Sequence, residues 1–122
     1  MITEDYCSYE VAKLLKEKEF DEEVLAVYIY DNFFVKGENE IVNPANVPII
    51  PAPTLQMAMK WLREVHNIDI IAPPQFDNSK WTYSAIIFKL SIPCTEIRLN
   101  DNKDKKEEAV EAAIKYCLKN LI

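Results

Sequence analysis

Glycine, histidine and paired cysteines are what this chain has least of. It holds one glycine (Gly37), one histidine (His66) and three cysteines in 122 residues. Loops that cradle phosphate need several glycines so that backbone N–H groups can approach the ligand, so neither a P-loop nor a dinucleotide fingerprint can be written. A single histidine excludes an HExxH zinc site and any two-histidine site within one chain. Cys7, Cys94 and Cys117 are odd in number, far apart and form no CxxC pair. That argues against a disulfide framework and a thiolate metal site, and they read as reduced, mostly buried thiols. No apolar run approaches the roughly 20 residues that span a bilayer. The start, "MITEDYCSYE", has neither the basic nor the apolar region of a signal peptide. The expectation is a cytoplasmic protein with no membrane contact.

Positive charge is also short: 14 Lys and Arg face 20 Asp and Glu, for a net charge of −6. Nucleic-acid binding draws much of its affinity from cations on phosphate, so this balance lowers that expectation while leaving room for a local basic patch. Hydrophobic residues at 49 % and charged residues at 28 % are those of a globular protein, and the length fits one domain over residues 1–122.

Periodicity supplies the elements. Ser8 is placed to cap a first helix whose apolar face is Val11, Leu14 and Leu15, with Phe20 closing it. "EVLAVYIYDNFFV" changes to a period of two and is rich in β-branched and aromatic residues, which predicts a strand, a turn at Asp31-Asn32 and a return through Phe33 to Lys36. Gly37 predicts another turn. Residues 43–53 carry Pro44, Pro48, Pro51 and Pro53, an extended connector whose Ile49 and Ile50 pack on the body. Thr54 caps a central helix striped by Leu55, Ala58, Met59, Leu62 and Val65 and ended by Asn67. Ile68 to Ile71 is a strand that Pro73-Pro74 stops. "FDNSK" is a turn, residues 81–92 form the longest strand, and residues 95–99 form a short one. Asp104 and Glu107 have capping-box spacing before a last helix striped by Val110, Ala113, Ile114, Cys117, Leu118 and Leu121. Glu111 and Lys115 there have the favourable i,i+4 order. The predicted fold class is α+β: a mainly antiparallel sheet of three to five strands packed against three helices, in the order α-β-(β)-α-β-β-(β)-α.

Residues with chemistry remain scattered. His66 could serve a cysteine as a base, yet Cys117 lies on a core stripe and His66 suits the C-terminal end of its helix dipole. The run "EKEFDEE" gathers Glu17, Glu19, Asp21, Glu22 and Glu23, hard oxygen donors without EF-hand spacing, best read as a solvated helix end. Asp31 and Asp69 each lie next to a strand with nothing to bring them together. No catalytic residue, cofactor or metal ligand is assigned.

Two large residues fall off the central stripe. At 100° per residue Trp61 lies at its edge and Met57 almost opposite it. Either the connector or another helix covers that side, or Met57 and Trp61 form a candidate interaction surface for another copy or another protein, where Trp and Met are enriched. Trp61 is most simply core, its indole covering the rim. Trp81 and Tyr83 share a strand face and either extend such a patch or lie under a helix.

Three segments, "YCSYEVAKLLKEKEF", "PTLQMAMKWLREVHNIDI" with "WTYS" downstream, and "EEAVEAAIKYCLKNL", resemble a family of short proteins of gut Bacteroidales and their phages or prophages. The resemblance implies a bacterial or phage setting and a small α+β domain, and transfers no activity. "VAKLL" is also similar to the opening helix of excisionase-type DNA binders, but there a second helix follows where this chain turns strand-like. The expected function is a non-enzymatic interaction or accessory protein, phage-derived, binding a protein partner or itself. The alternative is a nucleic-acid-binding module stacking bases on Tyr28, Tyr30 or Tyr83. A small enzyme using Asp or Glu comes last.

Overall fold

The computed structural model describes residues 2–35 and 47–122. The turn at Gly37, the return at Lys36 and the connector's first residues, 43–46, lie outside them. Three helices and eight strands are present among the described residues: α1 (Tyr9–Glu17), β1 (Ala26–Ile29), β2 (Asn32–Val35), β3 (Ile49–Pro51), α2 (Leu55–His66), β4 (Ile68–Ile71), β5 (Pro74–Asp77), β6 (Lys80–Tyr83), β7 (Ile86–Lys89), β8 (Thr95–Arg98) and α3 (Lys106–Asn120). The class is α+β. The strands are divided over three small antiparallel sheets, ordered β2-β1-β3, β4-β7-β8 and β5-β6, where one sheet was expected.

Local chemistry sets the helix starts. Ser8 is extended at φ −64°, ψ 164°, and its hydroxyl accepts from the Val11 N–H at 3.3 Å. Thr54 does the same for Met57 at 3.1 Å, satisfying an N–H that the helix itself cannot reach. Asn67 closes α2 in the left-handed conformation at φ 56°, which Asn tolerates. The expected capping box of α3 is not formed: Lys105 is its N-cap, without a side-chain bond, and Asp104 instead pairs with Lys80 of β6. Lys115 likewise bonds Glu10 of α1 at 2.8 Å in place of Glu111, and Glu111 accepts from the Ser8 N–H at 2.8 Å. These cross-helix contacts hold α1 on α3. A partner on another element was available, so the i,i+4 pair was not used.

Two apolar clusters result. The larger joins all three helices to β4 and β7, with Leu15, Leu62, Ile68, Ile87, Ile114 and Leu118 almost wholly buried. The smaller lies between α1 and the first sheet, on Ala12, Ala26, Tyr28, Ile50 and Ala52. Both faces of β1 are buried, as its two-sided apolar sequence requires. The β1–β2 turn is Tyr30-Asp31, one residue before the expected Asp31-Asn32, because Ile29 pairs with Asn32. The end of the proline-rich connector contributes a strand, β3, with Ile50 opposite Tyr28. Pro51 sits in this edge strand, where a missing N–H is tolerated.

The segment from Ile68 to Lys89 positions the site. Ile71 pairs with Ile86, and three residues on in each direction Pro74 pairs with Tyr83. The register is therefore unbroken across the gap at Ala72-Pro73 and Ser84-Ala85. β4–β5 and β6–β7 are two arms of one long hairpin, interrupted where Pro73 removes a donor. Asn78 and Ser79 turn its tip with φ of 51° and 60°, the geometry of a two-residue primed turn. The single strand expected over residues 81–92 is thus two strands, and Pro74 opens a strand that was expected to have stopped.

Candidate interaction surfaces

Trp61 is 6 % exposed. Its indole meets Phe20 edge-on at a centroid distance of 5.4 Å and the His66 ring at 4.8 Å. It belongs to the main core, and only an edge of the ring reaches the surface. This corrects its place in the expected contact surface: Phe20, arriving from the loop after α1, closes over the edge of the stripe and draws Trp61 inside. Met57 is half-buried against the same core. Val65, expected on the stripe, is 56 % exposed, because α2 turns its buried side toward Leu55, Ala58, Trp61 and Leu62. Met57, Trp61 and Val65 line one depression of about 220 Å³ with Glu22, Glu23, Glu64 and Lys60 around it. That is below the size of an ordinary small-molecule pocket and suits a single large side chain.

A second surface was not legible as such. Successive residues of a strand alternate faces, so the unbroken hairpin register puts Ile68, Ile70, Ala72, Pro74 and Phe76 on one face with Ile87, Ala85, Tyr83 and Trp81 opposite. The inner end of this face is the core. Its outer end opens to solvent. Tyr83 is half-buried, bridged through its backbone to Lys103, while Phe76 and Trp81 are 61 % and 58 % exposed. Their rings sit as a cross-strand pair with centroids 5.1 Å apart. The expectation that Trp81 lies under a helix therefore fails, because more than half of its surface is open to solvent.

The other singled-out residues do not gather. Tyr28 is buried and its hydroxyl donates to the Cys7 carbonyl at 2.8 Å; Tyr30 is exposed in the β1–β2 turn; Tyr83 is on a different sheet. They form no common stacking platform. Asp69 pairs with Arg63 at 3.7 Å and accepts from the Ile70 N–H, while Asp31 lies in the turn of the first sheet. The His66 Nε2 is buried and has no hydrogen-bond partner among the described residues; its contact is Trp61. Cys7 and Cys117 are buried and Cys94 is exposed. Burial pushes the thiols of Cys7 and Cys117 up to about 12, with Glu111 adding to the rise at Cys7. Among the described residues no group of three or more His, Cys, Asp or Glu side chains is placed to share a metal ion. Among the described residues no helix is long and apolar enough to cross a membrane.

No family model, curated protein or solved structure matches this chain.

Proposed function

We propose that this chain is a non-enzymatic interaction protein whose principal contact is the Phe76–Trp81 face of the hairpin arm. The observation that carries the reading is the exposure of that pair on the continuation of a core face. A Trp and a Phe left in water together forgo the burial that large aromatics otherwise contribute, and aromatic anchors dominate protein interfaces. Pro73 and Pro74 on the β4–β5 edge disfavour strand addition there, so the contact is made by side chains. The likeness to short Bacteroidales and phage proteins gives the proposal its setting, a bacterial or phage accessory factor.

The test is capture by tagged wild-type chain and by Trp81→Ala from a lysate of a gut Bacteroidales species, with and without nuclease. A stoichiometric protein retained by the wild type, resistant to nuclease and reduced at least tenfold by Trp81→Ala supports the proposal. Capture unchanged in the variant counts against it, and capture that vanishes with nuclease favours nucleic-acid binding.

A further inference from the structure

The β4-β7-β8 sheet ends on β8, whose other side pairs with no strand among the described residues. Its bonds to β7 fix which backbone groups face outward. The Leu99 N–H donates to the Ala85 carbonyl at 3.0 Å, and the same register sets Ile97 opposite Ile87 and Thr95 opposite Lys89. Bonded pairs alternate along an antiparallel ladder. Leu99, Ile97 and Thr95 therefore turn their backbone groups to β7, and Glu96 and Arg98 turn theirs outward, where no backbone partner meets them among the described residues. The strand holds no proline and no lysine, the residues that commonly protect an open edge. Side chains alternate as well. Ile97 and Leu99 are half-buried on the core side. A groove of about 410 Å³ lies between them and α3, lined there by Ala109, Ala112 and Tyr116. Glu96 and Arg98 share the opposite, exposed face and pair with each other along the strand.

We infer that β8 pairs antiparallel with β8 of a second copy of this chain, about a two-fold axis at Ile97. Only residues with outward backbone groups can form the new bonded pairs, so Glu96 and Arg98 must meet outward residues of the partner. Registers that set Glu96 opposite its own copy, or Arg98 opposite its own copy, bring like charges together and are disfavoured. The register that sets Glu96 opposite the partner's Arg98, and Arg98 opposite the partner's Glu96, uses the outward groups of both residues, each bonded pair exchanging both N–H···O bonds. The in-strand pair then meets its own inverted copy. It is not broken, and the charges alternate in sign around it. Exposed pairs contribute little to stability, so their part is to choose the register. On the other face Ile97 meets the partner's Ile97 at a non-hydrogen-bonded position, where side chains approach most closely, beside the open groove. A strand added in this way takes its affinity from backbone bonds and its specificity from pockets for alternate side chains. The contact is isologous and closes at two chains. It is shorter than a stable dimer interface requires, so association is reversible and grows with concentration. It makes no use of Phe76 or Trp81 and goes beyond the proposal made for them.

The experiment compares three full-length variants with the wild type in sedimentation velocity, under reducing conditions so that the exposed Cys94 forms no cross-link. Arg98→Glu gives β8 two carboxylates, and Glu96→Arg gives it two cations. Both positions are exposed, and circular dichroism of each variant establishes that it is folded. The wild type is expected to form dimers as concentration rises and to stop at two chains. Each charge variant alone should dimerise about tenfold more weakly, because like charges then stand opposite one another. Their equimolar mixture restores opposite charges at both pairs, and dimers should return at the wild-type concentration. A strand that was merely damaged would not be rescued by a second damaged strand. Trp81→Ala should dimerise as the wild type does. A wild type that stays monomeric or grows past two chains, a charge variant that dimerises as well as the wild type, a mixture that does not recover, or a Trp81→Ala chain that loses the dimer overturns the inference.

Discussion

Trp61→Ala is expected to cost about 3–5 kcal/mol of folding stability, measured by urea unfolding monitored with circular dichroism. The indole is 6 % exposed and packs between Phe20 and His66. Removing it leaves a cavity, and that cavity is lined by residues of α2 and of the loop after α1, which are fixed by other contacts and collapse poorly. Against a total stability of about 5–15 kcal/mol this is a large fraction. Trp81→Ala removes a residue of the same type and forfeits only a cross-strand aromatic pair, a loss below about 1 kcal/mol. The contrast between the two substitutions is the prediction. Equal costs would mean that one of the two indoles is misplaced.

The second large effect is alkaline. Cys7 and Cys117 are both 0 % exposed, and burial raises their thiols from 9.0 to about 12. Below pH 9 the folded and unfolded chains both keep the thiol protons and stability is unaffected. Between about 9 and 12 the unfolded chain has released protons that the folded chain still binds, so stability falls as pH rises. Each thiol contributes a slope of about 1.4 kcal/mol per pH unit, so the pair removes roughly 3 kcal/mol per unit. Tyr28, raised by burial and by the nearby Cys7 and Glu111, adds to the fall at the upper end. Urea midpoints across this range should drop steeply in the wild type and much less in a Cys7→Ala, Cys117→Ala double variant. Parallel pH profiles for the two would show that the thiols are not desolvated.

Signals decided within a few residues are legible in this sequence, and those decided by the fold are not. Ser8 and Thr54 cap the helices they were expected to cap, because a cap is decided within four residues. The α2 stripe was legible at Leu55, Ala58 and Leu62. Val65 falls on the stripe by spacing and is exposed in the fold, whereas Trp61, most simply core by its place at the stripe's edge, is core, packed against Phe20, which is remote in sequence. The capping box at Asp104 and the Glu111–Lys115 pair lost to Lys80, Glu10 and the Ser8 N–H, partners that only the fold brings near. The arm was hidden for a different reason. Pro73-Pro74 reads as the end of a strand, and nothing local says that Pro74 and Tyr83 resume the register of Ile71 and Ile86. Without that register Trp81 counts as one more apolar strand residue. With it, Trp81 stands at the end of a core face that has run out of core.

The opposite placement of the two tryptophans is what the account depends on most, and acrylamide quenching of fluorescence reads it directly. Trp61→Phe leaves Trp81 as the single emitter, and Trp81→Phe leaves Trp61. At protein concentrations where the chain is monomeric, Trp81 should emit at long wavelength and quench several-fold more steeply than Trp61, whose emission should be blue-shifted and protected until denaturant is added. If Trp81 is as protected as Trp61 in the isolated chain, the arm folds its aromatic face against the body and there is no surface for a partner to meet.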